Sequence, residues 1–149
     1  MKKFDPKKIL VPVDFSEFSE EALRSAADIA ELRDAKLTIM HVMVKPETSI
    51  PYEVYIDWQK IKDDIKADAE KMLNEMTEKA GIKGTSESVL VWGEPAHIIT
   101  DSAQSDNFDL IVMATHGRKG LPRLFLGSVA EKVIRHAPCP VLVMRGVED

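Results

Sequence analysis

The sequence is poor in cysteine and in aromatic residues. It has 149 residues, of which one is a cysteine, Cys139, and 6% are aromatic. A single thiol excludes an internal disulfide framework, and a cysteine inside an apolar run is typical of a small core residue in a reducing compartment. No apolar run approaches the ~20 residues of a membrane span, and no apolar segment with a cleavage site follows the basic N-terminus. We therefore expect a cytoplasmic protein.

An excess of positive charge is absent as well. The formal net charge is −5 at pH 7, whereas duplex binding relies on many Lys and Arg contacts to phosphate, so nucleic acid is disfavoured as a partner. Apolar residues make up 44% and charged residues 30%, an ordinary globular balance. The length fits one domain, which we predict to span residues 1–149.

Short apolar runs alternate with amphipathic stretches. Strands are predicted over 9–13, 37–43, 88–92, 110–113 and 141–144. Helices are predicted behind an N-cap at Ser16 or Ser19, and over about 55–80, 94–103 and 127–137. This alternation predicts an α/β fold, a doubly wound parallel sheet in the order 3-2-1-4-5 with helices on both faces. Residues interpreted as packing residues are Trp58, Trp92, Met72 and Met76.

The position of Pro12 and the residues after the first and fourth strands indicate where a ligand-binding site would lie. Proline removes a ladder donor, so we expect Pro12 at the end of its strand or beside a strand that has stopped. Ligands of a doubly wound sheet bind outside the carboxyl ends of the strands where the strand order reverses. The segments at that point are 14–16 and 114–117.

The connection over 114–128 is the most informative stretch. It contains three glycines, three basic residues and no acidic residue, and it leads into a helix that begins near Gly127 and Ser128. Free N–H groups at a helix start bind anions, and glycine lets a backbone approach a phosphate closely. A purely structural alternative is a capping box between Ser128 and Glu131, which needs no ligand. The stretch is neither a P-loop nor a G-x-G-x-x-G fingerprint.

The chain resembles the universal stress protein family over essentially its whole length. The family's ATP-binding pattern is Gly, two residues, Gly, nine residues, then Gly-Ser or Gly-Thr, and Gly117, Gly127 and Ser128 match it. The segments 11–14, 41–42 and 140–143 also look like the family. One position departs, because Ala114 stands at the first glycine, where a positive φ would cost a Cβ-bearing residue about 1 kcal/mol.

The resemblance implies a Rossmann-like sheet of the adenine nucleotide α-hydrolase type that binds ATP, with Mg²⁺ held through the phosphates. Asp14 would bind the adenine or ribose end, and Ser128 would hold phosphate at the helix start. Arg118, Lys119 or Arg123 would neutralise phosphate charge. The full implied set is Pro12, Val13, Asp14, Val42, Met113, Ala114, His116, Gly117, Arg118, Gly127, Ser128 and Val129.

Local patterns leave structural alternatives for single residues. Asp14 could cap the following helix, and His41 at a strand end is typical of a hydrogen-bonded core histidine. No nucleophile elbow, CxxC or HExxH spacing occurs in the sequence. We therefore predict no catalytic residue and, at most, slow ATP hydrolysis.

The fifth predicted strand is an apolar edge. Unpaired edges invite pairing with another chain, so Val141, Leu142, Val143 and Met144 are predicted to form a two-fold homodimer, unless a loop covers them. The resemblance implies the same dimer. The function it favours is an ATP-binding, nucleotide-responsive regulatory protein that acts through unknown protein partners. The alternatives are a non-nucleotide interaction module, favoured by Ala114, and an ATP-cleaving enzyme of related architecture.

Overall fold

Five strands and four helices alternate along the chain in a computed structural model that describes residues 3–47, 49, 51, 54–82, 86–116 and 126–145. The strands are β1 (Lys8–Pro12), β2 (Lys36–Met43), β3 (Ser86–Trp92), β4 (Leu110–Ala114) and β5 (Val141–Met144). The helices are α1 (Glu17–Arg33), α2 (Trp58–Ala80), α3 (Pro95–Ser105) and α4 (Ser128–His136). All nine predicted elements are confirmed, with their ends shifted by a few residues.

The five strands form one parallel sheet in the order β3-β2-β1-β4-β5, as predicted. β1 pairs with β2 along its whole length, up to Pro12 opposite Met40. Its pairing with β4 ends at Leu10, opposite Ile111. Pro12 is thus the last residue of its strand and lies beyond the ladder with β4, which confirms the prediction for it. Because β4 continues to Ala114, a crevice opens between β1 and β4 at their carboxyl ends.

The central strands are buried on both faces. Ile9, Leu10 and Val11 are fully buried, and their side chains alternate between two core clusters. Ile9 and Val11 pack with α1 and α2, whereas Leu10 packs with α3 and α4. Strands covered on both sides read as continuous apolar runs, which is the pattern that identified them.

Helix α2 differs from its prediction in two ways. It begins at Trp58 and not at Tyr55, because the Asp57 side chain accepts a hydrogen bond from the Lys60 N–H (3.0 Å) and caps the helix there. Two of its apolar side chains are also more exposed than predicted. Trp58 and Met72 are each 37% exposed, so their interpretation as packing residues is wrong, whereas Met76 is buried as expected.

Candidate functional site

A cleft of about 310 Å³ opens where β1 and β4 diverge. The ends of β1, β2 and β4 form its floor, and the first turns of α3 and α4 form one wall. Its lining among the described residues is Pro12, Val13, Asp14, Ser19, Met40, His41, Val42, Pro95, Ile99, Met113, Ala114, Thr115, His116, Gly127, Ser128, Val129 and Ala130. The cleft therefore lies at the topological switch point, as expected.

The structure brings ten of the twelve predicted site residues to this cleft. They are Pro12, Val13, Asp14, Val42, Met113, Ala114, His116, Gly127, Ser128 and Val129. The other two, Gly117 and Arg118, lie outside the described residues, as do Lys119 and Arg123.

The start of α4 has no side-chain cap. Gly127 is the N-cap, so Ser128 is already the first helical residue, and the structural alternative of a capping box between Ser128 and Glu131 is wrong. The Glu131 carboxylate instead accepts a hydrogen bond from Arg135 (2.8 Å), one turn further along the helix. The other three helices are capped by the side chains of Ser16, Asp57 and Glu94. Among the described residues, therefore, no side chain competes for the first amides of α4, which lie at the cleft.

Gly127 is required by a close backbone approach. Its N–H donates a hydrogen bond to the Thr115 carbonyl oxygen (2.8 Å), which joins the start of α4 to the end of β4. A Cβ built on Gly127 would lie 2.8 Å from that same oxygen. Its φ of −60° is open to any residue, so the requirement is for space and not for an unusual backbone angle.

Ala114 is accommodated without backbone strain. It is the last residue of β4 and pairs with Met144 of β5. In the described ranges the non-glycine residues with positive φ are Phe15, Asp34 and Asn107. The cost that a left-handed backbone would impose on alanine at position 114 therefore does not arise.

Asp14 supports the cap of α1 but is not the cap itself. Its Oδ1 accepts hydrogen bonds from the N–H (3.0 Å) and the hydroxyl of Ser16. Ser16 is the N-cap, and its Oγ accepts from the Ser19 N–H (3.2 Å). The capping alternative for Asp14 is thus wrong by two residues, and the carboxylate lines the cleft.

His41 is hydrogen-bonded, as its position at a strand end predicted. Its Nδ1 lies 2.8 Å from the Val13 carbonyl oxygen. A carbonyl oxygen only accepts, so Nδ1 carries a proton and donates. The imidazole ring also packs against the ring of Phe15, with centroids 4.2 Å apart and planes inclined by 34°.

His116, which lies two residues after the end of β4, carries a buried ring nitrogen. Its Nδ1 lies 2.7 Å from the Thr115 hydroxyl, and its ring lies 6.1 Å from that of Phe18. Its Nε2 is buried and has no hydrogen-bond partner within the described part of the chain. A buried polar atom without a partner is costly, and His116 as a residue lines the cleft.

The start of α3 lies at the same cleft but is closed to anions. Glu94 caps it, with Oε2 accepting from the His97 N–H (2.8 Å). That hydrogen bond, helped by the amide of Ala96 and by Lys132, holds the pKa of the Glu94 carboxyl below its usual value. The Glu94 carboxylate therefore already occupies the place at the N-terminus of α3 where a bound anion would otherwise be stabilised.

Sequence reasoning missed several wall residues. They are Ser19, Met40, His41, Pro95, Ile99, Thr115 and Ala130. Most carry no chemical signature, because small and apolar side chains are equally suited to the core. The strand order was the only available signal: it places the β3–β4 crossover helix beside the switch point.

The described ranges contain no cluster of three or more His, Cys, Asp or Glu side chains that could hold a metal ion. No helix among them is long and apolar enough to cross a membrane.

The fold and the cleft define a doubly wound α/β protein with a ligand-sized site at its switch point. Residues 6–145 match the model of the universal stress protein family. The chain belongs to that family, as the resemblance predicted.

Known members of the family are similar to this chain over nearly its full length. A universal stress protein of Methanocaldococcus jannaschii is 40% identical over 143 residues, covering 93% of this chain and 82% of the relative. The solved structure of UspA from Lactobacillus plantarum has a TM-score of 0.77 and 27% identity, covering 97% of this chain and 100% of that one. A universal stress protein of Archaeoglobus fulgidus, solved in complex with dAMP, has a TM-score of 0.66 and 26% identity, covering 92% and 96% of the two chains.

Proposed function

We propose that this protein binds an adenine nucleotide, with ATP as the leading candidate, and acts as a nucleotide-responsive regulatory protein. The observation that carries the proposal is the start of α4, which lies at the cleft and is capped by no side chain in the described part of the chain. Free helix amides suit phosphate oxygens. The dAMP complex of the Archaeoglobus fulgidus relative supports the same ligand class.

The rest of the cleft suits a purine nucleoside. Its floor is apolar, with Met40, Val42 and Met113 buried beneath it. Asp14 supplies a carboxylate that can accept hydrogen bonds from ribose hydroxyls or from the adenine amino group. In the proposal the base lies over the ends of β1 and β2, and the phosphates lie at α4. Mg²⁺ would be held by phosphate oxygens, with Arg118 or Lys119 countering their charge.

The α4 amides can be tested without disturbing the helix. Ser128 is the first helical residue, where proline is well tolerated, but proline removes the N–H. Ser128→Pro therefore deletes one proposed phosphate donor, whereas Ser128→Ala keeps the N–H and loses only the hydroxyl. Because hydrogen bonds to charged groups contribute about 1.5–3 kcal/mol, Ser128→Pro should weaken nucleotide binding roughly tenfold or more, and Ser128→Ala less.

Calorimetry with ATP, ADP and AMP, with and without Mg²⁺, measures these affinities. Circular dichroism of each variant checks that α4 is retained. If the unmodified protein gives no binding heat with millimolar ATP or AMP, the protein is a non-nucleotide interaction module. Equal affinities for Ser128→Pro and the unmodified protein would remove the α4 amides from the site.

A further inference from the structure

The turn from β1 into α1 holds a residue in a backbone conformation that its side chain disfavours. Phe15 has a φ of 65°. Asp34 (50°) and Asn107 (54°) share the positive angle, but both follow the ends of helices, where left-handed residues are common and where Asp and Asn are tolerated. Phe15 is bulky and precedes a helix, so neither explanation applies to it.

Contacts on both sides hold Phe15 in this conformation. Asp14 Oδ1 accepts from the Ser16 N–H (3.0 Å) and so bridges across Phe15. The Phe15 ring packs on the imidazole of His41 and against the core cluster of α1 and α2. Strained backbone persists only where its surroundings over-determine it, and such strain concentrates at binding sites.

The same contacts restrain two residues of the cleft. His41 is held by Phe15 on its ring and by the Val13 carbonyl at Nδ1 (2.8 Å). Asp14 is held by the amide and hydroxyl of Ser16. Both line the cleft, whereas Phe15 is not part of the wall formed by the described residues.

We infer that Phe15 is a positioning residue for the nucleotide site. Its left-handed turn and its ring hold the Asp14 carboxylate and the His41 imidazole in their binding geometry before a ligand arrives. Ordering these groups in advance reduces the entropy lost on binding. That the ligand is a nucleotide rests on the proposed function, whereas the positioning of His41 is a property of the protein without any ligand.

Four variants separate the ring from the backbone angle. Phe15→Gly removes the ring and favours the left-handed angle, Phe15→Leu keeps bulk without an aromatic face, and Phe15→Tyr keeps both. Asn107→Gly is the matched control, because it relieves a positive φ far from the cleft. By calorimetry, Phe15→Gly and Phe15→Leu should raise the Kd for AMP about threefold to tenfold, while Phe15→Tyr and Asn107→Gly should change it less than about twofold.

Imidazole nitrogen NMR on nucleotide-free protein tests the positioning directly. Unmodified protein and Phe15→Tyr should show one His41 tautomer, protonated at Nδ1, and Phe15→Gly should show tautomer averaging. An unchanged His41 signal in Phe15→Gly would overturn the inference, as would an equal loss of affinity in Asn107→Gly. If the unmodified protein binds no nucleotide, the proposed function fails, and the His41 spectrum still decides whether Phe15 positions the ring.

Discussion

At the scale of single residues, the site depends on which helix ends are capped. The side-chain oxygens of Ser16, Asp57 and Glu94 each accept a hydrogen bond from an N–H at the start of a helix, whereas Gly127 has no side chain to do so. Glycine at 127 thus has two consequences. It allows the 2.8 Å approach to the Thr115 carbonyl, and it offers no side chain of its own to cap the α4 amides.

Glu94 gives a pH-dependent prediction. Its pKa is lowered by the His97 N–H, so its folded pKa lies below the unfolded value. The stability that it contributes is therefore present above the unfolded pKa and is lost as pH falls through the folded pKa. Glu94→Ala should cost about 0.5–1 kcal/mol at pH 7 and progressively less below about pH 4, as measured by urea unfolding across pH.

Glu94→Gln is the control, because it keeps an oxygen acceptor without the charge. Its unfolding free energy should differ from that of the unmodified protein at pH 7 and converge with it in acid. A loss in Glu94→Ala that stays constant between pH 7 and pH 3 would show that the charge has no role in the cap.

At the scale of elements, tertiary packing and not helical periodicity decides which apolar residues of α2 are buried in the core. Leu73 is 2% exposed in the core with α1, whereas its neighbour Met72 is 37% exposed. Both fit an apolar stripe in the sequence. The two residues lie on the same turn, about 100° apart around the helix axis, so only the packing of the folded chain decides which of them reaches the core.

The two neighbours on α2 make a matched pair of substitutions. Leu73→Ala should lower the free energy of unfolding by about 2–5 kcal/mol, because it leaves a cavity in the core. Met72→Ala should change it by less than about 0.5 kcal/mol, since surface substitutions do little. Chemical denaturation of both variants measures the difference. Similar losses at the two positions would contradict the burial that separates them.

At the scale of the whole molecule, β5 pairs with β4 on one side and ends the sheet. Leu142, in its middle, is 39% exposed. We propose, as the sequence suggested, that Val141, Leu142, Val143 and Met144 pair with a second copy about a two-fold axis. This dimer would leave the cleft open, because the cleft lies between β1 and β4.

The dimer predicts a specific effect of charge at the edge. Leu142→Lys should shift the protein from dimer to monomer in light scattering after gel filtration, because an ammonium group would have to lose water on association. Tyr55→Lys is the control, since Tyr55 is 92% exposed and lies before α2, away from β5. A monomeric unmodified protein, or a dimer that persists in Leu142→Lys, would contradict the proposed interface.

The residues decide the architecture through local rules. Fully buried parallel strands appear as continuous runs such as 9–11, and strict alternation with helices leaves few topologies, so order and switch point were predictable. Two residues that the family spacing singled out, Gly127 and Ser128, line the cleft at that switch point.

Tertiary structure alone decided the finer points. A Ser-x-x-Glu pattern at Ser128 was compatible with a capping box, and it fails because the hydrogen bond to Thr115 makes Gly127 the N-cap. The positive φ of Phe15 has no sequence signal, and the ring that packs against Phe15 belongs to His41 on another strand. Composition and periodicity report what each segment prefers by itself, whereas caps, strain and exposure depend on neighbours that only the folded chain brings together.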